Sequence, residues 1–263
     1  MKNILSYIQR DGIYVFVKKI TFKIICLLRI NIFLHMTRYG SSFYLENTDL
    51  TYQIFANKAY KSWEYSIYKK YIRDGMTCVD VGANMGLMTV FMAKLAPNGA
   101  IFSFEPSQRF YKILNKNLKL NKIHNCTTYN TALGDTESVV HFDEDKSDDT
   151  TFKIDPSGKT YVQQLTLDSF FKNQSCIDFM KIDVEGYELE VLRGGTETLS
   201  KTKILFIEFI SENQSSSGHI GNEMIAMLSE NFTLYTLTST GEEVLFDFDT
   251  SKTYQTDLLC KLK

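Results

Sequence analysis

The sequence predicts an α/β fold: a doubly wound sheet, mostly parallel with an antiparallel last strand, plus an N-terminal helical extension. Three observations carry this. From residue 77 onward, short continuous apolar runs alternate with amphipathic stretches, the pattern of strands covered on both faces by helices. The first such run ends in a glycine-rich turn that opens a helix. The last runs are joined by short turns, as in antiparallel pairs. With 263 residues and 44% hydrophobic content, the chain can bury a sizeable core, and a net charge of -2 gives the whole molecule no nucleic-acid footprint.

Residues 1–58 read as an extension built from an amphipathic helix and a hairpin, and residues 59–263 as the α/β domain. Residues 1–40 carry Lys2, Arg10, Lys18, Lys19, Lys23, Arg29 and Arg38 against Asp11, about +6, which leaves about -8 for the rest. Lys18, Lys19, Lys23 and Arg29 interrupt the apolar stretch, so a membrane span is not expected there. A helix covering the core, or one lying on an anionic membrane surface, fits this pattern. Residues 41–56 alternate as a hairpin with its turn near Asn47–Asp49. Tyr60, Trp63, Ile67 and Tyr71 fall at helical spacing over 60–73, and Gly75 stops that helix. Its aromatic residues read as packing.

"TCVDV" (77–81) is the first strand, 86–96 a helix, "AIFSF" (100–104) the second strand and 107–120 an amphipathic helix. "TTYNTAL" (127–133) reads as one strand, followed by strands at 138–142 and 161–167 around an acidic loop, 143–160. Asp168 is a candidate N-cap for 169–173. "IDFMKIDV" (177–184), a helix near 187–200 and "ILFIEFI" (204–210) follow. A helix near 222–230 and strands near 232–238, 243–248 and 256–262 close the chain.

In such a sheet, ligands sit at the carboxyl ends of the strands. After the first strand comes Asp80-Val-Gly82-Ala-Asn84-Met-Gly86. Gly82 and Gly86 let the backbone turn tightly against a ligand, and the helix start offers free N–H groups. The loop matches neither the dinucleotide GxGxxG pattern nor a P-loop. Asp80, expected to point into the crevice, repels a pyrophosphate and welcomes an ammonium or sulfonium. Glu105, ending the second strand, is placed to accept hydrogen bonds from both hydroxyls of a ribose. S-adenosylmethionine satisfies both expectations.

The stretches "VDVGANMG" (79–86), "FSFEPSQRFYKILNKNLKLN" (102–121), "TALGD" (131–135), "LTLDSFF" (165–171), "MKIDVEGYELEVLRGG" (180–195) and "ILFIEF" (204–209) resemble, in order, the FkbM family of S-adenosylmethionine-dependent methyltransferases. The resemblance covers about residues 60–210. It implies a Rossmann-like class I methyltransferase fold with seven strands, the last antiparallel. It also implies that Asp80, Gly82, Asn84 and Gly86 surround the methionyl part of the cofactor. Glu105 would then hold the ribose, and Ala132 and Leu133, at the next strand end, would contact the adenine. Family members typically O-methylate hydroxyls of secondary metabolites or glycans. The chain departs from many relatives after the fifth-strand glutamate, where Phe209, Ile210 and Ser211 stand in place of a histidine.

A hydroxyl acceptor needs a base near the methyl group. Asp183, at the end of the fourth strand, and Glu208, on the fifth, are the catalytic candidates. Lys181 alternates with Asp183 and could pair with it. Asp183, Glu185 and Glu208 could instead hold a divalent cation, although no residue is assigned as a metal ligand. Glu185 otherwise reads as the cap of the next helix. The loop 214–223, with His219, could cover a substrate. The expected function is O-methylation of a sugar or glycan-precursor hydroxyl. The alternatives are a small secondary metabolite as acceptor, or a nucleotide-binding membrane-associated protein without catalysis. The five scattered cysteines point to a reducing, cytoplasmic compartment, with residues 1–40 able to touch the inner membrane face.

Overall fold

The computed structural model describes residues 33–38, 40–44, 62–142, 157–211, 220–238 and 241–263; the side chains of 33–38, 62 and 220 lie outside that description. The expected N-terminal amphipathic helix, the acidic loop and most of the loop with His219 therefore fall outside the described residues.

A hairpin forms from β1 (Phe33–Arg38) and β2 (Ser41–Tyr44), with its turn at Gly40, and the turn expected near Asn47–Asp49 lies outside the described residues. Gly40 has φ +65, a left-handed conformation that glycine adopts without a Cβ penalty. The hairpin is tied to the body: Asn117 of α3 (Gln108–Leu120) and Asn121, which caps the end of that helix, accept from the backbone N–H groups of Tyr44 and Ser42 and donate back to their carbonyls.

The other elements follow in order. α1 (Ser62–Tyr71) leads to β3 (Thr77–Val81), α2 (Leu87–Leu95) and β4 (Ala100–Phe104). After α3 come β5 (Cys126–Tyr129), β6 (Ala132–Leu133), β7 (Ser138–Phe142) and β8 (Thr160–Leu165). Then come α4 (Leu167–Phe170), β9 (Ile177–Ile182), α5 (Glu188–Arg193), α6 (Thr196–Ser200) and β10 (Thr202–Ile210). α7 (Ile220–Asn231), β11 (Phe232–Leu237), β12 (Glu243–Leu245) and β13 (Gln255–Leu262) complete the chain.

The main sheet has eight strands in the order β12-β11-β13-β10-β9-β3-β4-β5. β5, β4, β3, β9 and β10 run parallel, and the last strand, β13, inserts antiparallel between β10 and β11. This is the expected class I methyltransferase arrangement, with β12 added as an antiparallel edge. One face packs Cys78, Ile101, Phe179, Phe206 and Leu259 beneath α1, α2 and α3. The other packs Val79, Phe104, Met180, Ile182 and Ile207 beneath α4 to α7.

The strand expected over 127–133 is split. β5 ends at Tyr129, because the Asn130 side chain donates to the carbonyls of Glu105 and Pro106 and turns the chain away. Ala132 and Leu133 form β6 in a separate three-stranded sheet, β6-β8-β7. The helix expected over 187–200 is also two, broken at Gly194–Gly195. Gly194 must be glycine here, since a Cβ would sit 1.9 Å from the Gly134 carbonyl oxygen. This contact locks the "TALGD" and "VLRGG" stretches together. Asp168 joins them: its N–H donates to Gly194 O, and its carboxylate accepts from the N–H groups of Glu197 and Thr198. It therefore caps α6, while Thr166 caps α4, its hydroxyl accepting from Ser169 N–H.

Candidate active site

The period-two pleat decides which side chains meet. Asp80 lies beside Ser103 on one side and Lys181 on the other; Lys181 lies beside Phe206. One pleat nearer the carboxyl ends, the same face carries Glu105, Gly82, Asp183, Glu208 and Asp257, the last two paired in register. Thus the acids that end β3, β4, β9 and β10 all occupy the α1–α3 face.

The loop after β3 is built on three consecutive demands. Gly82 has φ +79, and a Cβ there would stand 1.9 Å from Asp183 O, so only glycine lets the β3 and β9 ends approach this closely. Asn84 is left-handed at φ 51, a conformation Asn tolerates better than most residues, and its Oδ1 accepts from Met85 N–H. Gly86 is left-handed at φ 84 and starts α2. The N–H groups of Gly82 and Ala83 donate to Phe104 O, and that of Asn84 donates to Glu105 Oε2 at 2.7 Å.

Glu105 is thus a latch on the glycine loop. Its other oxygen accepts from Ser107 N–H at 2.8 Å, and the side chain is 4% exposed. Burial pushes its pKa up to about 7, against the pull of the Ser107 and Asn84 N–H groups. Each carboxylate oxygen keeps a second acceptor site, which fits a pair of ribose hydroxyls.

Asp80 corrects the expectation of an acid open to the crevice: it is fully buried. Its Oδ2 accepts from the Thr89 hydroxyl at 2.6 Å, while Oδ1 lies 3.7 Å from Lys181 Nζ and has no hydrogen-bond partner among the described residues. Burial raises its pKa, and Lys181 and Thr89 oppose that rise. An orphaned carboxylate oxygen beside the glycine loop suits an ammonium donor such as the amino group of a methionyl moiety.

Asp183 is partly exposed and pairs with Lys181, Oδ2 to Nζ 3.1 Å, the ion pair that alternation predicted. Glu208 differs: its Oε2 is buried and without a hydrogen-bond partner among the described residues. Burial first, then repulsion from Asp183, Glu188, Glu185 and Asp257, pushes its pKa up to about 8. Among the described residues, no three His, Cys, Asp or Glu side chains converge to hold a metal ion.

Glu185 does not cap the following helix. It is exposed at φ 57, and the N–H groups of Val184 and Gly186 are met instead by the buried Glu188, three residues on. Glu188 is the first residue of α5, and its side chain folds back over the turn that precedes the helix. Ala132 and Leu133 are each 4% exposed and packed against protein: Ala132 with Phe142 and Val162, Leu133 in the main core. The half-buried residues at the carboxyl end of β5 are Asn130 and Thr131. Thr89, Glu188 and Asp257 were not among the sequence candidates. Glu188 had a signal, an acid at a helix start, whereas Thr89 and Asp257 meet their acids only through packing and register.

The family model described as "Methyltransferase FkbM domain" matches residues 80–234, more than half of the chain. "Methyltransferase sdnD" of Sordaria araneosa is 28% identical over 155 residues, 45% of this chain and 60% of that protein. "2-O-methyltransferase NoeI" of Sinorhizobium fredii is 24% identical over 177 residues, 59% of this chain and 72% of that protein. "Methyltransferase 1" of Beauveria bassiana is 23% identical over 146 residues, 46% of this chain and 59% of that protein. The chain therefore spans less than two thirds of the length of the Beauveria and Sordaria relatives. No helix among the described residues is long and apolar enough to cross a membrane. By this match over residues 80–234, the chain belongs to the FkbM methyltransferase family.

Proposed function

We propose that the protein is an S-adenosylmethionine-dependent O-methyltransferase whose acceptor is a hydroxyl of a sugar or glycan precursor. The observation that carries the chemistry is Glu208, a half-buried carboxylate whose Oε2 is buried without a hydrogen-bond partner among the described residues, standing on the same sheet face as the Lys181–Asp183 pair and the glycine loop. O-methylation is supported by the likeness to the Sinorhizobium 2-O-methyltransferase. The sugar acceptor is our reading of the family's habits and of a neutral hydroxyl suiting an acid-lined crevice.

S-adenosylmethionine supplies an electrophilic methyl group when bound. The chain's residues do the rest. Glu105 holds the loop closed through Asn84 N–H and offers its remaining acceptor sites to the ribose. Asp80 Oδ1 accepts from the methionyl ammonium. Asp183, oriented by Lys181, accepts a hydrogen bond from the acceptor, and Glu208 takes the hydroxyl proton. A carboxylate raised to about 8 is a far better base than an ordinary one.

The test is a methyl-transfer assay over a panel of glycans and small metabolites, run beside calorimetric binding of S-adenosylhomocysteine. We expect wild type to bind the thioether and to methylate a sugar hydroxyl, and Glu105→Ala to lose at least tenfold in binding, the scale of a lost charge-assisted hydrogen bond. Unchanged binding in Glu105→Ala would remove the cofactor assignment. Turnover of metabolites alone would replace the glycan acceptor.

A further inference from the structure

One peptide unit links the glycine loop to α5. Its carbonyl, that of Asp183, packs against the loop, where a Cβ on Gly82 would stand 1.9 Å away. The N–H at its other end, that of Val184, donates to Glu188 Oε1 at 2.9 Å. Two residues on, the Gly186 N–H donates to Glu188 Oε2 at 3.0 Å and to Oε1 at 3.2 Å. Glu185 and Gly186 are both left-handed, at φ 57 and φ 99. The turn therefore aims two N–H groups at one point, a backbone concavity that suits an anion. Glutamate enters that conformation at a cost, and the Glu188 carboxylate supplies the contacts that hold it there. Glu188 is 3% exposed. Burial raises its pKa, and the N–H groups it accepts from oppose the rise. The charge of Asp183 bears on Glu188, and those of Asp183 and Glu188 bear on Glu208, so the concavity lies beside the crevice acids.

We propose that Glu188 is a positioning residue: by holding the Asp183–Val184 peptide and the left-handed turn behind it, Glu188 fixes the direction in which Asp183 meets the acceptor hydroxyl. This rests on the methyltransferase reading. The Asp183 N–H donates to Val81 O at 3.1 Å, which ties the residue to β3. The plane of the next peptide is set by the Gly82 contact on its carbonyl side and by Glu188 on its N–H side. With both peptides held, the Asp183 Cα–Cβ bond has one direction, and Lys181 Nζ, 3.1 Å from Oδ2, steadies the carboxylate from there. Without the Glu188 carboxylate, the N–H groups of Val184 and Gly186 lose this acceptor and the left-handed turn relaxes. Asp183 moves with it. Asp80 and Glu105 do not, since Thr89 and the N–H groups of Asn84 and Ser107 hold them. Glu188 therefore acts on the acceptor side of the crevice and leaves the cofactor side in place.

The test is a double-mutant cycle in the full chain, with methyl transfer to the panel compound that wild type methylates fastest and calorimetric binding of S-adenosylhomocysteine as readouts. Assays run at about pH 9, above the value of about 8 to which Glu208 is raised, so that a change in Glu208 ionisation does not enter. Glu188→Gln keeps the shape and sets an amide N–H against a backbone N–H. We expect it to raise the KM of the acceptor about tenfold, the scale of a lost charge-assisted hydrogen bond, with a smaller fall in kcat. S-adenosylhomocysteine should bind within about twofold of wild type, and in an Asp183→Asn background Glu188→Gln should cost less than about twofold more, because the two residues act as one unit. Glu188→Asp gives the same cycle if Glu188→Gln does not melt cooperatively. Additive losses, an equal loss of S-adenosylhomocysteine binding, or no change overturns the proposal. Wild type that binds no S-adenosylhomocysteine and methylates no panel compound overturns the methyltransferase reading, and the proposal with it.

Discussion

The two halves of the crevice treat their acids differently. On the β3–β4 side, both carboxylates have donors: Asp80 holds the Thr89 hydroxyl, and Glu105 holds two backbone N–H groups. On the β9–β10 side, Asp183 has an ammonium, but Glu208 faces Asp257 in register and carries an oxygen with no hydrogen-bond partner among the described residues. Acids fed by local donors hold a loop in shape. An acid pressed among other acids keeps a proton until something removes it. The first side reads as a cradle and the second as the place where a proton moves.

The strongest way to break this contrast is a pair of isosteric changes. Glu208→Gln should lower kcat by roughly 10²–10⁴, the usual worth of a general base, with S-adenosylhomocysteine binding near normal. Asp183→Asn should cost less in kcat and more in KM, as an orienting residue does. Rates in the reverse order would return the base to Asp183.

Gly82→Ala tests the cradle. The new Cβ would meet Asp183 O in a left-handed backbone, so we expect a loss on the order of 3 kcal/mol, read from urea melts, and loss of cofactor binding. Wild-type stability in this variant would mean that the β3 and β9 ends are not held this close.

The subtlest effect is on pH. The Glu208 carboxyl moves from 4.5 to about 8 on folding, so the folded state keeps its proton through that window while the unfolded chain gives it up. Its contribution to stability is complete below pH 4.5 and is lost as pH rises toward 8. Methyl transfer should climb over the same alkaline range. Glu208→Gln should flatten the stability slope; an unchanged slope would show that another group sets it.

Much of the fold was legible because burial on both faces writes continuous apolar strands into the sequence, and because Gly82, Asn84, Gly86 and Gly186 are the residues that positive φ tolerates. The strand-end acids Asp80, Glu105, Asp183 and Glu208 were legible for the same reason: they interrupt or end apolar runs. The split at Asn130 and the break at Gly194 were not, since each depends on a contact with distant chain. Asp168 looked like a local cap and caps α6, because only the approach of Gly134 to Gly194 brings that helix start beside it.

The sequence by itself determined the strand–helix alternation, the glycine loop and which acids stand at strand ends, all set by local geometry and burial. The tertiary structure decided what each acid does. Strand register put Asp257 opposite Glu208, and packing put Thr89 on Asp80. Proton affinity depends on neighbours in space, and those neighbours come from strands and helices far apart in the chain.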